Sequence, residues 1–576
     1  MRIGFLPKEL PPVFSSAALA ATITDIEDNV KKDWTRPVSY VLGRPGGMRR
    51  RITIPNPFNQ LKVARLCDSS WGEIESHLAM SEISLTTPRL DGMHGRAASP
   101  QVHFGERHLH RTLQMSSARY VLRTDISQFY ASVYTHSIEW ALSGKESAKA
   151  GAGSRRNQSL GARLDKAVAA GQDGQTSGIP IGPDTSLVLA EILLSRVDAA
   201  IQAVNPRVAT SAIRYMDDLE FYASSRSEAE ELLLAWEAEL AALELLVNPA
   251  KTCILEAPLP LFPRWRSLLD QFVISEKQDD RSIDDVIGYF SLAFELARES
   301  PNESVLAHAV GRFATGNYSP NTWTAIIRLL LAAVVAEPTC LRSARSVLRS
   351  GDPACVERHA VLICRSLNEI IEFHSRLQHA SEVAWALSII LERRLRVSAA
   401  AALSVGEMTD NACLLLLLHL HQEGLFEDSA VSIAHVLVRA EAEDVCTSVD
   451  WLLGYECAAR GWVNPRFVNA DPRWAGLIRA GVTFTTPNQA APKSVPRHPA
   501  AGVGASSSDV ADATLVDDQR STEPDVPPPS HNPTGDGPDT TAPATSVLEP
   551  SDQGPPTPAP ADDATFVVRP WMLVGY

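Results

Sequence analysis

Three carboxylates and one lysine carry most of the chemistry that this sequence can be expected to perform. Asp217 and Asp218 stand side by side in Arg214-Tyr215-Met216-Asp217-Asp218, with apolar residues on both sides, the pattern of a tight turn between two strands. Adjacent acids on such a turn can hold divalent cations that align a nucleoside triphosphate with a hydroxyl nucleophile and neutralise charge on the attacking and leaving oxygens. An Asp-Asp pair also occurs in ordinary solvated turns, so its neighbours in the sequence decide. A third acid, Asp125, ends the alternating segment that begins at Tyr120 and is followed by Phe129 and Tyr130, which predicts a strand passing into a helix. It can be a metal ligand or a helix cap.

Between these acids lies Ser177-Gly178-Ile179-Pro180-Ile181-Gly182-Pro183-Asp184, ahead of a helical run over residues 187–197. Glycine and proline before a helix give a rigid turn that a ligand can approach closely, at a helix end that favours anions. Downstream, an amphipathic helix over 227–243 precedes Asn248-Pro249 and Lys251.

In this order the four segments resemble motifs A to D of the reverse transcriptase palm: Asp125, then Gly182 to Ser186, then Asp217-Asp218, then the stretch ending at Lys251. The resemblance covers residues 120–252 and implies a Mg²⁺-dependent polymerase, with Mn²⁺ a second cation of the same kind. Asp125 and Asp217 are then the direct metal ligands, and Asp218 completes the metal set electrostatically. It also implies that Tyr130 blocks a ribose 2′-hydroxyl, with Phe129 packed beneath it, and that Gly182 lies against the incoming nucleotide. Lys251 either protonates the pyrophosphate leaving group or is a solvated charge. One position departs from the family: Ile181 stands where most members have glutamine, and it cannot make that side chain's polar contacts. The Ile-Pro-Ile-Gly-Pro phrase instead resembles the abortive-infection and related defence-associated bacterial enzymes, and so, less specifically, does the start of the chain from Phe5 to Phe14. That implies a role in antiviral defence, little or no use of a template, and priming from a tyrosine. Tyr40 and Tyr576 are the candidates. A retron-like or intron-like enzyme copying a dedicated RNA is the nearest alternative, and a silent palm that only binds nucleic acid is another.

The elements that position these residues follow from pattern. Gly46-Gly47 leading into Arg49-Arg50-Arg51-Ile52-Thr53-Ile54 predicts a basic hairpin. Arg49 and Arg51 either clamp a triphosphate or form a solvated strand edge. A helix follows from Asn56 through Trp71 to His77. Residues 143–175, rich in Gly, Ala, Lys and Arg, read as a mobile loop. From about 275 to 480 the apolar spacing is helical throughout, at 283–297, 322–336, 355–373, 382–395 and 430–442, separated by Gly, Pro and Asn. The expected architecture is an α/β palm with fingers over 1–272 and an all-α, HEAT-like array over 273–483. A disordered acidic linker over 484–564 and an apolar docking peptide over 565–576 complete it.

Composition sets the remaining bounds. At 576 residues the chain exceeds a single core. Basic and acidic side chains balance over 1–272 although the whole carries a net charge of −15, so nucleic acid must be held by local clusters such as Arg49 to Arg51 and Arg155-Arg156. Eight cysteines without a Cys-x-x-Cys pair predict reduced thiols in a cytoplasm. The N-terminus lacks the pattern of a signal peptide, and the apolar runs are too short to span a bilayer. The expected partners are deoxynucleoside triphosphates, a DNA product, an RNA template if one is used, and further copies of the chain as a homo-oligomer.

Overall fold

The protein is described by a computed structural model over residues 4–23, 34–90, 96–116, 118–151, 159–275 and 281–486. The acidic linker is expected from residue 484, but Phe484 and Thr485 are buried and belong to the folded part. The linker from 487 on, the terminal peptide with Tyr576, and Arg155-Arg156 lie outside the described residues.

The hairpin forms as its glycines suggest. β1 (Val38–Gly43) and β2 (Arg49–Ile54) pair antiparallel, Tyr40 facing Ile52 across the ladder, around a turn with Gly46 at φ +76°. Helix α1 (Pro57–Ser69) starts at the cap Asn56, whose side chain accepts from the Phe58 amide, with Pro57 at its first position. It stops at Ser70, and α2 (Trp71–Leu78) begins anew, so the single helix expected to reach His77 is two. α3 (Arg107–Met115) then leads to the palm sheet.

That sheet has four antiparallel strands. β3 (Tyr120–Asp125), β4 (Ala212–Tyr215), β5 (Asp218–Ala223) and β6 (Cys253–Glu256) lie in the order β4, β5, β3, β6. One face packs on α4 (Asp184–Val204) and α5 (Arg226–Ala242) through Leu122, Leu219, Phe221, Trp236 and Leu240. The other carries Val121, Ile213, Tyr215 and Tyr222. α4 is buried over most of its circumference, as a central helix must be, and it takes three acids, Asp184, Glu191 and Asp198, inside with it.

The segment 143–175 is not simply a loop. Lys145–Gly151 and Leu160–Ala170 are helices, the second capped by Ser159 and anchored by Leu160, Leu164 and Val168. Those three leucine and valine positions, four apart, are a one-stripe helix that the Gly and Ala content obscured.

From Arg281 to Arg479 the regular elements are all helical. α6 (Ala360–Arg376) packs on α7 (Ala380–Arg393) and on the helix Ala399–Gly406, and α7 packs on α8 (Asn411–Gln422), so each helix meets the next or the next but one in sequence. The core does not break at residue 272. Phe5, Leu10, Phe14, Tyr40, Ile52, Ile54 and Phe58 belong to the same buried cluster as the helical half, while the palm, from Val63 to Leu245, has its own. The N-terminal segment is also bonded to the end of that half. Ser15 donates to the Phe484 carbonyl at 2.9 Å, and Thr486 to the Val13 carbonyl at 2.7 Å. Among the described residues no helix is long and apolar enough to cross a membrane, and all eight cysteines are free thiols.

Candidate active site

The sheet register brings the acids together. β3 ends at Asp125, whose Cα partner on β5 is Asp218, and Asp218 in turn pairs with Tyr215 on β4. Met216 and Asp217 form the two-residue turn between β4 and β5. Asp125 and Asp217 are 4% and 7% exposed, so neither charge is dissolved in bulk water.

Asp125 and Asp218 have distinct counterions. Lys251 donates to Asp125 Oδ2 at 2.6 Å, and the Asn248 amide to Oδ1 at 3.3 Å. Burial lifts the Asp125 pKa above the usual carboxylate range, Lys251 offsets only part of this, and the charge of Asp218 adds to it. Asp218 instead accepts from Arg107 at 3.0 Å. Arg107 also reaches Glu220 at 3.2 Å, together with Arg111 and, at 3.4 Å, Arg123. Burial alone would raise the Glu220 pKa, yet Arg111, Arg107 and Arg123 hold it at about 2. Sequence reasoning missed this buried network. Its one local trace is the period of β5, which puts Asp218 and Glu220 on the same face.

A second network holds the turn from behind. Met216 has φ +56°, a conformation that costs a non-glycine residue energy. Its amide donates to Thr86 Oγ1 at 3.0 Å, and its carbonyl accepts from Arg214 at 2.9 Å. Thr86 donates on to Glu191 at 2.6 Å, and Arg214 makes a two-pronged contact with Glu191 at 2.9 Å and binds Asp198 at 2.7 Å. Ser84 and Ser81 complete the acids' hydrogen bonding. Arg214 and both acids are essentially inaccessible. Burial opposes the Glu191 charge, but Arg214 overcomes it and keeps this carboxyl below its ordinary pKa.

Around these acids, Phe129 is buried and Tyr130 half-buried, their rings edge to face at 5.3 Å. Burial raises the Tyr130 pKa, and the charge of Asp217 raises it further, so this ring sits in the field of the site. Gly182 has φ +131°, and a Cβ there would lie 2.9 Å from Pro7, so the N-terminal segment takes the space beside it. The Asp184 amide likewise donates to the Gly4 carbonyl at 2.8 Å. Ile181 packs against the core shared with the helical half. Arg49 is tied to α7, paired with Glu382 and bonded to His379 at 2.8 Å, which corrects the expectation of a free triphosphate clamp. Arg51 is exposed, whereas it is Arg50 whose charge acts on Tyr130. Tyr40 is fully buried; burial and then the charge of Asp410 raise its pKa, and its hydroxyl has no hydrogen-bond partner among the described residues. Facing Asp410, Cys413 and Glu382, that hydroxyl is not presented to the three acids.

The three aspartates are not gathered onto one point. Among the described residues, the set of three ligand-type side chains whose donor atoms all come within 4.8 Å is His374, His379 and Glu382, where Arg49 docks. Asp218 is turned to Arg107, which donates to it at 3.0 Å.

An antiparallel sheet with paired acids at the end of its central strands is an arrangement that can hold the divalent cations of nucleotidyl transfer. Residues 79–280 match the family profile described as Reverse transcriptase (RNA-dependent DNA polymerase). The chain carries a reverse transcriptase domain and is an RNA-directed DNA polymerase. No curated protein matches it.

Proposed function

We propose that this enzyme polymerises deoxynucleotides with Mg²⁺, primes from one of its own tyrosines with little use of a template, and serves antiviral defence. The observation that carries the catalytic part is the register that sets Asp125 opposite Asp218 with Asp217 on the intervening turn. The donor chemistry fits a hard divalent cation: carboxylate oxygens, with Asp125 buried beside a like charge. When bound, Mg²⁺ neutralises charge on the triphosphate and on the attacking oxygen. Asp125 and Asp217 hold it, and Arg107, bonded to Asp218 at 3.0 Å, orients that carboxylate. Lys251, already on Asp125, is the proton donor to the leaving pyrophosphate. Incorporation of labelled deoxynucleotides by the purified chain, present with Mg²⁺ and absent with excess chelator, tests this reading.

Ile181, apolar and packed against the core, supports weak template reading. The defence role rests on the resemblance of the Ile-Pro-Ile-Gly-Pro phrase, as do the HEAT-like nature of the helical array, assembly as a homo-oligomer and a cytoplasmic site of action.

Two tyrosines make this reading testable. Replacing Tyr130 by Val opens space beside Asp217, and ribonucleotide incorporation rises relative to deoxynucleotide by on the order of tenfold or more, because the exclusion is steric. Single-turnover incorporation of each nucleotide measures it; an unchanged ratio places the gate elsewhere. Tyr40→Phe retains DNA synthesis, and it stabilises the protein by up to ~1 kcal/mol because it removes a buried hydroxyl without a partner. Priming then falls to another tyrosine, Tyr576 being the candidate. A nucleotide adduct on Tyr40, found by mass spectrometry of nuclease-trimmed protein, would show that β1 leaves its buried position during synthesis.

A further inference from the structure

The helical half carries a cationic cleft that no step above uses. It measures about 410 Å³ and is lined by Arg328, Arg358, His359, Val361, Leu362 and Arg365, where Pro320–Ala336 and Pro353–Arg358 meet the start of α6. Three guanidiniums lining one cleft repel one another unless acids are interleaved, and here few are. Arg365 meets Glu369 at 3.7 Å in a pair exposed on both sides, which contributes little. Arg358 acts on Asp352, but that carboxylate already caps its own helix through the Cys355 amide at 2.7 Å. Neither Arg328 nor Arg358 makes an ion pair among the described residues.

The floor is built as well as charged. His359 is 7% exposed, and its Nδ1 bonds the Cys355 carbonyl at 2.8 Å. Its Nε2 has no partner among the described residues and is left for the cleft. His359 also precedes α6, whose first turn has no side-chain cap, and Val361 and Leu362 of that turn line the same space. The positive end of a 17-residue helix, which no side chain caps, therefore adds to the guanidiniums. Val361, 84% exposed, offers an apolar rest for a sugar or base beside them.

We propose that this cleft binds the phosphodiester backbone of a single-stranded nucleic acid. A chain of net charge −15 repels a polyanion as a whole, so a strand leaving or entering the palm must be held by a local site of this kind. The choice of nucleic acid as the ligand rests on the polymerase reading; the phosphate chemistry of the cleft does not.

The test uses the full chain and the fluorescence anisotropy of an oligothymidylate of roughly 20 nucleotides, titrated at several salt concentrations. The triple variant Arg328→Ala, Arg358→Ala, Arg365→Ala should lose on the order of tenfold in affinity. Its slope of log K against log salt should fall by about 2, close to 0.7 for each single-strand phosphate that no longer meets a cation. The corresponding triple Lys variant keeps the slope, and both keep the wild-type melting curve. Asp217→Ala, inactive in synthesis, binds the oligonucleotide like the wild type, which separates this site from the polymerase reading. Wild-type affinity and slope in the Ala triple variant overturn the proposal. So does a pattern in which dTTP binding is lost from that variant while oligonucleotide binding is retained, since the cleft would then serve free nucleotide.

Discussion

Asp217→Ala abolishes nucleotide incorporation and leaves the protein folded. The side chain sits at the tip of the turn between β4 and β5, where the strands are already fixed by their ladders, so its removal takes away a carboxylate without opening the core. Loss of one ligand oxygen from a two-metal site costs on the order of 4 kcal/mol of barrier, or ~10³-fold in rate at about 1.4 kcal/mol for each factor of ten. Asp218→Ala should act differently. It frees Arg107, which keeps Glu220 as a partner, so activity falls because a guanidinium now faces the metal ligands unopposed. Rates of incorporation in Mg²⁺ and in Mn²⁺, with melting curves for both variants, check the pair. Substantial activity in the Asp217 variant would remove this site from the mechanism.

Arg214→Met destabilises the protein by about 3–5 kcal/mol and cuts activity with it. The guanidinium is the cation shared by two buried acids, Glu191 and Asp198, and taking it away strands both charges in a low-dielectric interior. It also removes the donor to the Met216 carbonyl, one of two bonds that hold that residue at positive φ. Urea unfolding gives the first quantity and single-turnover incorporation the second. Adding Glu191→Gln and Asp198→Asn to the same chain separates them, because stability returns in part while the carbonyl stays unbraced and activity stays low. Unchanged stability in Arg214→Met alone would mean that the acids find other partners.

The acids and the lysine of the candidate site were legible as candidates because each announces itself locally. Asp125 ends an alternating strand, Asp217 and Asp218 share a turn, and Lys251 follows a helix of clear amphipathic spacing. The helical half was legible for the same reason, since a period near 3.6 needs no partner to be read. What stayed hidden is held by bonds between distant residues. Arg49 looked like a nucleotide clamp because its partner, Glu382, lies 333 positions away. Gly182 looked open because nothing in its own phrase names Pro7. Arg107, Arg111 and Glu220 passed as ordinary charges, since pairing across more than a hundred residues leaves no periodic mark. The helix Leu160–Ala170 was missed on composition although its apolar spacing was present.

The bonds that join Val13 and Ser15 to Phe484 and Thr486 give the molecule a schedule as well as a shape. A ribosome extends a chain by roughly 5–20 residues each second, so the opening segment waits on the order of half a minute or longer for its partner to be made. The palm, with its own core between Val63 and Leu245, keeps no such appointment and can settle first. During synthesis the hairpin, which packs on α7 and α8, therefore stays uncovered until those helices are made, and the last turn of the helical array is what closes the enzyme.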